Sequence, residues 1–151
     1  MSRNILLIEF PWGRDKDPRV PLGHASILAM LHAMPEIQCR SFVKPINAPE
    51  FKLDNVKKEI LSELSILGEN TDIAIGVYVW CEDVIKSILV SLRSNKFNGR
   101  IILGGPQISY SESGLERIYP EADIFVRGYG EFALAELLTK SGKITHTGVH
   151  F

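Results

Sequence analysis

Two glycine turns hold most of this chain's capacity to bind a ligand. Gly104-Gly105-Pro106 follows the apolar run 100–103, and Gly128-Tyr129-Gly130-Glu131 follows 123–127. A residue without a Cβ can take positive φ and lets a ligand lie close against the main chain. Each turn comes directly after a short apolar run and leads into a helix-like segment, which is where open parallel sheets bind their ligands. Trp12, Tyr78, Trp80 and Tyr129 fall near the same rim. Their flat rings suit stacking on a ring system or lining an apolar pocket, although each one alone is better accounted for by core packing.

The other reactive groups form weaker patterns. Gly128, Gly130 and Ala133 satisfy the spacing of a dinucleotide fingerprint, but the motif follows the last strand and leaves no room for an acidic ribose partner about 20 residues further on. Glu131 at a helix start is explained by the attraction between a carboxylate and the helix N-terminal dipole. His24, after Pro21-Leu22-Gly23, is the only histidine expected near the rim; His32 falls late in a helix, and His146 and His150 lie in the tail. A lone histidine serves more often as a hydrogen-bonded structural residue than as a base or ligand. No Ser-His-Asp spacing, phosphate loop or carboxylate pair stands out. Cys81 stands before Glu82 and Asp83, whose charges oppose the gain from a helix N-terminus, so no activated thiolate is expected.

The elements that must position these residues follow from the hydrophobic pattern. Residues 4–10, 72–79, 100–103 and 123–126 are near-continuous apolar or β-branched runs, as strands buried on both faces of a parallel sheet require. Residues 37–43 alternate in polarity and predict a weaker strand at a sheet edge. Pro21 and Pro35 bound a first helix over 22–34. Asp54 and Asp83 are expected as N-caps of a second and a third helix, the second ending at Gly68. Residues 111–119 predict a short fourth helix and 131–140 a fifth.

Five repeats of strand then helix predict an α/β fold, a flavodoxin-like doubly wound parallel sheet of five strands in the order 2-1-3-4-5. The tail, 145–151, is expected as a further edge strand. Strand order reverses between strands one and three, so the expected crevice is framed by residues 10–20 and 79–82 and extended by the two glycine turns. The first of these loops exceeds the usual ~4–6 residues, which fits either a functional loop or a plain surface excursion.

At 151 residues the chain fits one domain burying about two-thirds of its unfolded surface. The division expected is an α/β domain over 1–142 and a tail or linker over 143–151. A net charge of −1 gives no general electrostatic reason to bind nucleic acid. No run approaches the ~18 apolar residues of a membrane span. The run 5–8 is too short for a signal-peptide core and ends at Glu9, so neither anchoring nor export is expected. Cys39 and Cys81 give neither a disulfide framework nor a metal-ligand spacing, and suit a reducing, cytoplasmic setting.

Several stretches together resemble the cobalamin-binding domain that precedes the catalytic barrel in cobalamin-dependent radical S-adenosylmethionine enzymes. They are Pro21-Leu22-Gly23, Ile75-Gly76-Val77, the run from Ile101 to Pro106, and Asp123 to Glu131 followed by a Leu-rich helix. The resemblance implies a corrin ring over the strand carboxyl ends and a nucleotide tail buried between strands. Gly104, Gly105, Gly128 and Gly130 would then let backbone amides face the tail, and Pro106, Tyr129 and Glu131 would join them in binding the cofactor. Trp12, Val79 and Trp80 would meet the ring, and Leu22 and Gly23 would open the first helix.

The Asp-x-His-x-x-Gly signature, whose histidine ligates cobalt from below, is missing, because residues 10–20 contain no histidine. This implies a corrinoid without a lower histidine ligand. An iron–sulfur cluster for S-adenosylmethionine cleavage needs three closely spaced cysteines, and the chain has two. Cluster and S-adenosylmethionine therefore belong to a catalytic domain in the same chain or on a partner subunit, and these residues alone are not catalytic. The function implied is to position cobalamin for a methylation or related reaction. Two further classes stay open: a domain of the same fold that has lost the cofactor and serves substrate recognition or partner docking, and a small flavodoxin-like binder of a nucleotide or flavin.

Overall fold

The computed structural model describes residues 3–16, 21–111, 113–128, 130–139 and 149–150. Five parallel strands make its frame, β1 Asn4–Glu9, β2 Cys39–Val43, β3 Thr71–Gly76, β4 Ile101–Gly104 and β5 Ile124–Val126. They lie in the order β2-β1-β3-β4-β5, and a short β6, Val149–His150, pairs antiparallel with the free edge of β5. The alternation of apolar runs and amphipathic stretches predicts this flavodoxin-like order, with the more polar β2 at one edge. The rest of the tail, 140–148 and 151, lies outside the described residues.

The helices are α1 Leu22–His32, α2 Leu53–Leu67, α3 Glu82–Ser94, α4 Pro106–Ser109, α5 Leu115–Ile118 and α6 Glu131–Thr139. A strand's pleat sends alternate side chains to opposite faces. Leu6, Ile8, Ile73, Ile75, Ile101 and Leu103 accordingly pack with Val56 and Ile60 of α2 and Ile85, Ile88 and Leu89 of α3. Ile5, Leu7, Ala74, Ile102 and Val126 face the other way, against Leu31 of α1 and Leu134, Leu137 and Leu138 of α6. Two apolar layers thus sandwich one sheet, and the strands read as unbroken hydrophobic runs because both of their faces are covered. No helix among the described residues is long and apolar enough to cross a membrane.

Three local features differ from the sequence reading. Asp54 and Asp83 do not cap their helices: Lys52 and Cys81 occupy the cap positions without side-chain hydrogen bonds. The two carboxylates stand instead in the first turns, where the partial positive charge of the helix start favours them. The helix expected over 111–119 shrinks to α5, because Gly114 takes φ +89 immediately before it. A one-turn helix, α4, forms earlier than expected, with Pro106 at its first position, where a missing N–H costs nothing.

At the end of the sheet away from the glycine turns, Asp72 is fully buried. It accepts hydrogen bonds from Arg3 Nε at 2.8 Å, Arg100 Nη2 at 2.6 Å and the Arg100 backbone N–H at 3.1 Å. Arg100 Nη2 also donates to the Leu137 carbonyl of α6 at 2.5 Å. The cluster ties β1, β3, β4 and α6 together at the end of the sheet opposite the glycine turns. Replacing Asp72→Ala strands two partly buried guanidinium groups, and a loss of about 3 kcal/mol in urea unfolding is expected.

Candidate functional site

The pleat that fills the α1–α6 side of the sheet with Leu7, Ala74 and Ile102 runs out of side chains one step higher. Leu7 is in register with Ala74, and Ala74 with Ile102; two residues on, Gly76 is in register with Gly104. Two adjacent positions facing the helices therefore carry no side chain at all. A cleft of about 550 Å³ occupies the space they leave. Its walls are the C-terminal ends of β1, β3, β4 and β5 on one side and the first turns of α1 and α6 on the other. This is within the size range of a small-molecule site.

Backbone geometry holds the mouth open. Gly105 has φ +91, and a Cβ there would stand 2.8 Å from Val77 N and 2.9 Å from Val77 O. The strand exits of β3 and β4 thus touch through a position that only glycine can fill. Their contact is fixed by Val77 N–H donating to Gly104 O at 2.8 Å and Gln107 N–H to Val77 O at 3.1 Å. Across the cleft, Ser26 Oγ of α1 donates to Glu131 Oε1 of α6 at 2.9 Å. The Gly128 N–H donates to Ser109 Oγ at 3.0 Å and anchors the turn after β5.

Two ionisable residues lie against the bottom of the cleft. Glu9, the last residue of β1, is 4% exposed, and His24, in the first turn of α1, is 3% exposed. Their Oε2 and Nδ1 atoms stand 3.8 Å apart, too far for a hydrogen bond. His24 Nε2 pairs with Ser41 Oγ at 2.8 Å, and the Tyr78 hydroxyl stands near the Glu9 carboxyl and acts on its ionisation. Glu9 Oε1 and His24 Nδ1 have no partner. The carboxylate lies over Gly76, where a Cβ would come within 2.5 Å of Glu9 Oε2.

The structure distributes the sequence-derived site residues in two groups. Gly23, Gly104, Gly105, Pro106, Gly128, Gly130 and Glu131 meet in the wall of this one cleft. Leu22, Trp12, Val79 and Trp80 lie outside that wall and are exposed. Tyr129 lies outside the described residues. Trp80 stacks on Tyr78 with ring centroids 4.7 Å apart and donates from Nε1 to the Phe10 carbonyl at 2.9 Å. Of the rim aromatics, Tyr78 alone among the described residues lines the cleft, joined at its mouth by Tyr110.

The crevice is displaced from its expected frame. Neither residues 10–16 nor 79–82 line it, and residues 17–20 lie outside the described residues. Gly13 instead exchanges hydrogen bonds with Asn47, 2.7 and 2.8 Å long, so the first part of that loop folds over the exit of β2. The sequence reading missed Glu9 as a site residue. Its signal was a carboxylate ending an otherwise apolar buried strand at the rim. His24 does reach the rim region, as expected.

Among the described residues no group of three His, Cys, Asp or Glu side chains could hold a metal ion. Burial pushes the Cys39 and Cys81 thiols up to about 11, so neither is a thiolate at neutral pH.

Burial raises the Glu9 carboxyl above its ordinary 4.5, opposed in part by the neighbouring Tyr78 hydroxyl. Burial alone lowers His24 below its ordinary 6.5. Both groups therefore favour their neutral forms in the folded chain. The raised carboxyl favours folding fully below 4.5, and that stability is lost as pH rises from there through the folded value. The lowered imidazole acts oppositely, favouring folding above 6.5 and losing that contribution as pH falls through its folded value. The urea midpoint of Glu9→Gln is expected to gain on the unsubstituted protein as pH rises above 4.5 and to hold a constant offset below it. A difference independent of pH contradicts the burial argument.

No family model matches the chain, and no curated protein does. Among solved structures it is similar to the cobalamin-dependent S-adenosylmethionine radical enzyme OxsB with aqua-cobalamin and S-adenosylmethionine bound. There the TM-score is 0.71 at 17% identity, covering 98% of this chain and 20% of that one. It is likewise similar to the apo, selenomethionine-labelled form of OxsB, with a TM-score of 0.69 at 16% identity over 91% of this chain and 18% of that one. The likeness is one of fold, and the chain spans about a fifth of the length of that enzyme.

Proposed function

We propose that this chain is a cobalamin-binding module that positions the corrinoid for a radical S-adenosylmethionine catalytic domain in the same chain or on a partner subunit. The observation that carries the reading is the side-chain-free hollow at Gly76 and Gly104, opening between the sheet and the α1–α6 pair. It occurs in a fold shared with an enzyme described as cobalamin-dependent. The space suits the slender nucleotide tail of the cofactor, with the macrocycle resting outside the mouth. Gly104, Gly128 and Gly130 would border the tail, and Tyr110, 87% exposed at the mouth, offers a flat apolar surface beyond it.

The corrinoid, when bound, supplies a cobalt-carried group, which is chemistry that no side chain of the chain provides. The chain's own contribution is to bind and orient. No histidine is proposed beneath the cobalt, since His24 is turned toward Ser41 at the floor of the cleft. The iron–sulfur cluster and S-adenosylmethionine are assigned to the catalytic partner, because only two cysteines occur here and both are free. An open cleft also favours this reading over a domain that has lost its cofactor, for which bulky side chains filling the hollow would be expected.

Absorption spectra after mixing with hydroxocobalamin and desalting test the proposal. Retained corrin bands are expected for the unsubstituted protein. A Cβ at Gly104 would have only the Val126 carbonyl nearby, 3.6 Å away, so Gly104→Leu is expected to fold while its side chain fills the hollow and abolishes retention. Corrin bands lost on desalting from the unsubstituted protein, or retained equally by Gly104→Leu, count against the reading.

A further inference from the structure

We propose that the floor of the cleft, at Glu9 Oε1 and His24 Nδ1, is a subsite for a neutral hydroxyl group of the sugar type. Both side chains are more than nine-tenths buried, both border the cleft, and among the described residues these two are the buried side-chain atoms left without a partner. Buried polar atoms are ordinarily satisfied, and a pair of orphans at the bottom of one cavity marks the place of an absent partner. The second nitrogen of His24 is already committed, Nε2 to Ser41, and the Tyr78 hydroxyl stands near the Glu9 carboxyl. The imidazole is therefore oriented before anything binds.

The hydrogen-bonding inventory selects the guest. With a protonated carboxyl and the imidazole proton on Nε2, a hydroxyl accepts from Glu9 and donates to Nδ1. With an ionised carboxyl and the proton on Nδ1, the same hydroxyl accepts from His24 and donates to Oε1. It satisfies both orphans in either arrangement. A ring nitrogen or carbonyl only accepts and leaves one atom unpaired. A phosphate or carboxylate meets Glu9 at close range in an apolar surround that includes Leu7 and Ile27. An ammonium requires an ionised Glu9 and surrenders its hydration at a floor almost closed to solvent.

The identity of the hydroxyl rests on the corrinoid reading: the nucleotide tail of the cofactor carries a ribose, whereas the periphery of the macrocycle carries amides. The subsite then assigns that ribose to the gap between β1 and α1.

Hydroxocobalamin and cobinamide, the corrinoid without the nucleotide, are titrated into the unsubstituted protein and Glu9→Met, which keeps volume but removes both oxygens. Glu9→Met is expected to weaken hydroxocobalamin about tenfold, the worth of a lost buried hydrogen bond, without changing the affinity for cobinamide. The His24 ring ¹⁵N resonances of the unsubstituted protein, a readout that does not depend on the variant folding, are expected to shift with hydroxocobalamin and not with cobinamide. Unchanged hydroxocobalamin affinity and unmoved resonances indicate resident water at the floor and overturn the proposal. Equal losses for both corrinoids indicate a packing role and also overturn it. If the unsubstituted protein takes up neither corrinoid, the cofactor reading falls, and adenosine against adenine decides the floor. A His24 shift with the nucleoside alone supports the hydroxyl subsite, and no shift overturns it.

Discussion

One pair of pleat positions governs this molecule. Where β3 and β4 leave the sheet, the two residues that face α1 and α6 are both glycine, so the apolar layer that cements sheet to helices stops short of the rim. Interiors pack to crystal-like density, and a hollow of this size persists only because the surrounding elements are fixed by other means. Those means are the Val77–Gly104 contact, the Ser26–Glu131 hydrogen bond and the apolar layer below. The cleft is what remains when the frame is rigid and the filling is withheld.

Two buried carboxylates mark the two ends of the sheet and show opposite strategies. Asp72 is ringed by two arginines and a backbone N–H, so its charge is answered within the fold. Glu9 leaves Oε1 without a hydrogen-bond partner and faces an imidazole too distant to bond, so its solvation is incomplete. A charge that is fully paired supports the base of the sheet, while a group left partly unsatisfied inside a cavity is a place where an outside ligand can gain energy. The asymmetry separates the fully paired end of the sheet from the end that carries the cleft.

The fold was legible because parallel strands covered on both faces must be continuously apolar, and 4–10, 72–79, 100–103 and 123–126 have that character. The helix starts were less so. Aspartate favours both a cap and a first turn, and Asp54 and Asp83 took the second place. Within the site, the glycine turns were visible in composition, and seven of the residues read from them and from the start of α1 converge on one cleft. Of the aromatics, Tyr78 lines the cleft while Trp12 and Trp80 lie outside its wall: being near a rim in sequence does not fix the face toward which a ring points, and Trp80 spends its N–H on Phe10 and its ring on Tyr78.

By itself the sequence determined the strand order and the placement of the glycine turns at the strand carboxyl ends, since both follow from period, polarity and the absence of Cβ atoms. Only the tertiary structure decided that the hollow lies beneath the rim, between sheet and helices, and that Glu9 and His24 share its floor. Those facts depend on the register that sets Gly76 beside Gly104 and on the packing of α1 across β1, and neither is written in any local stretch of residues.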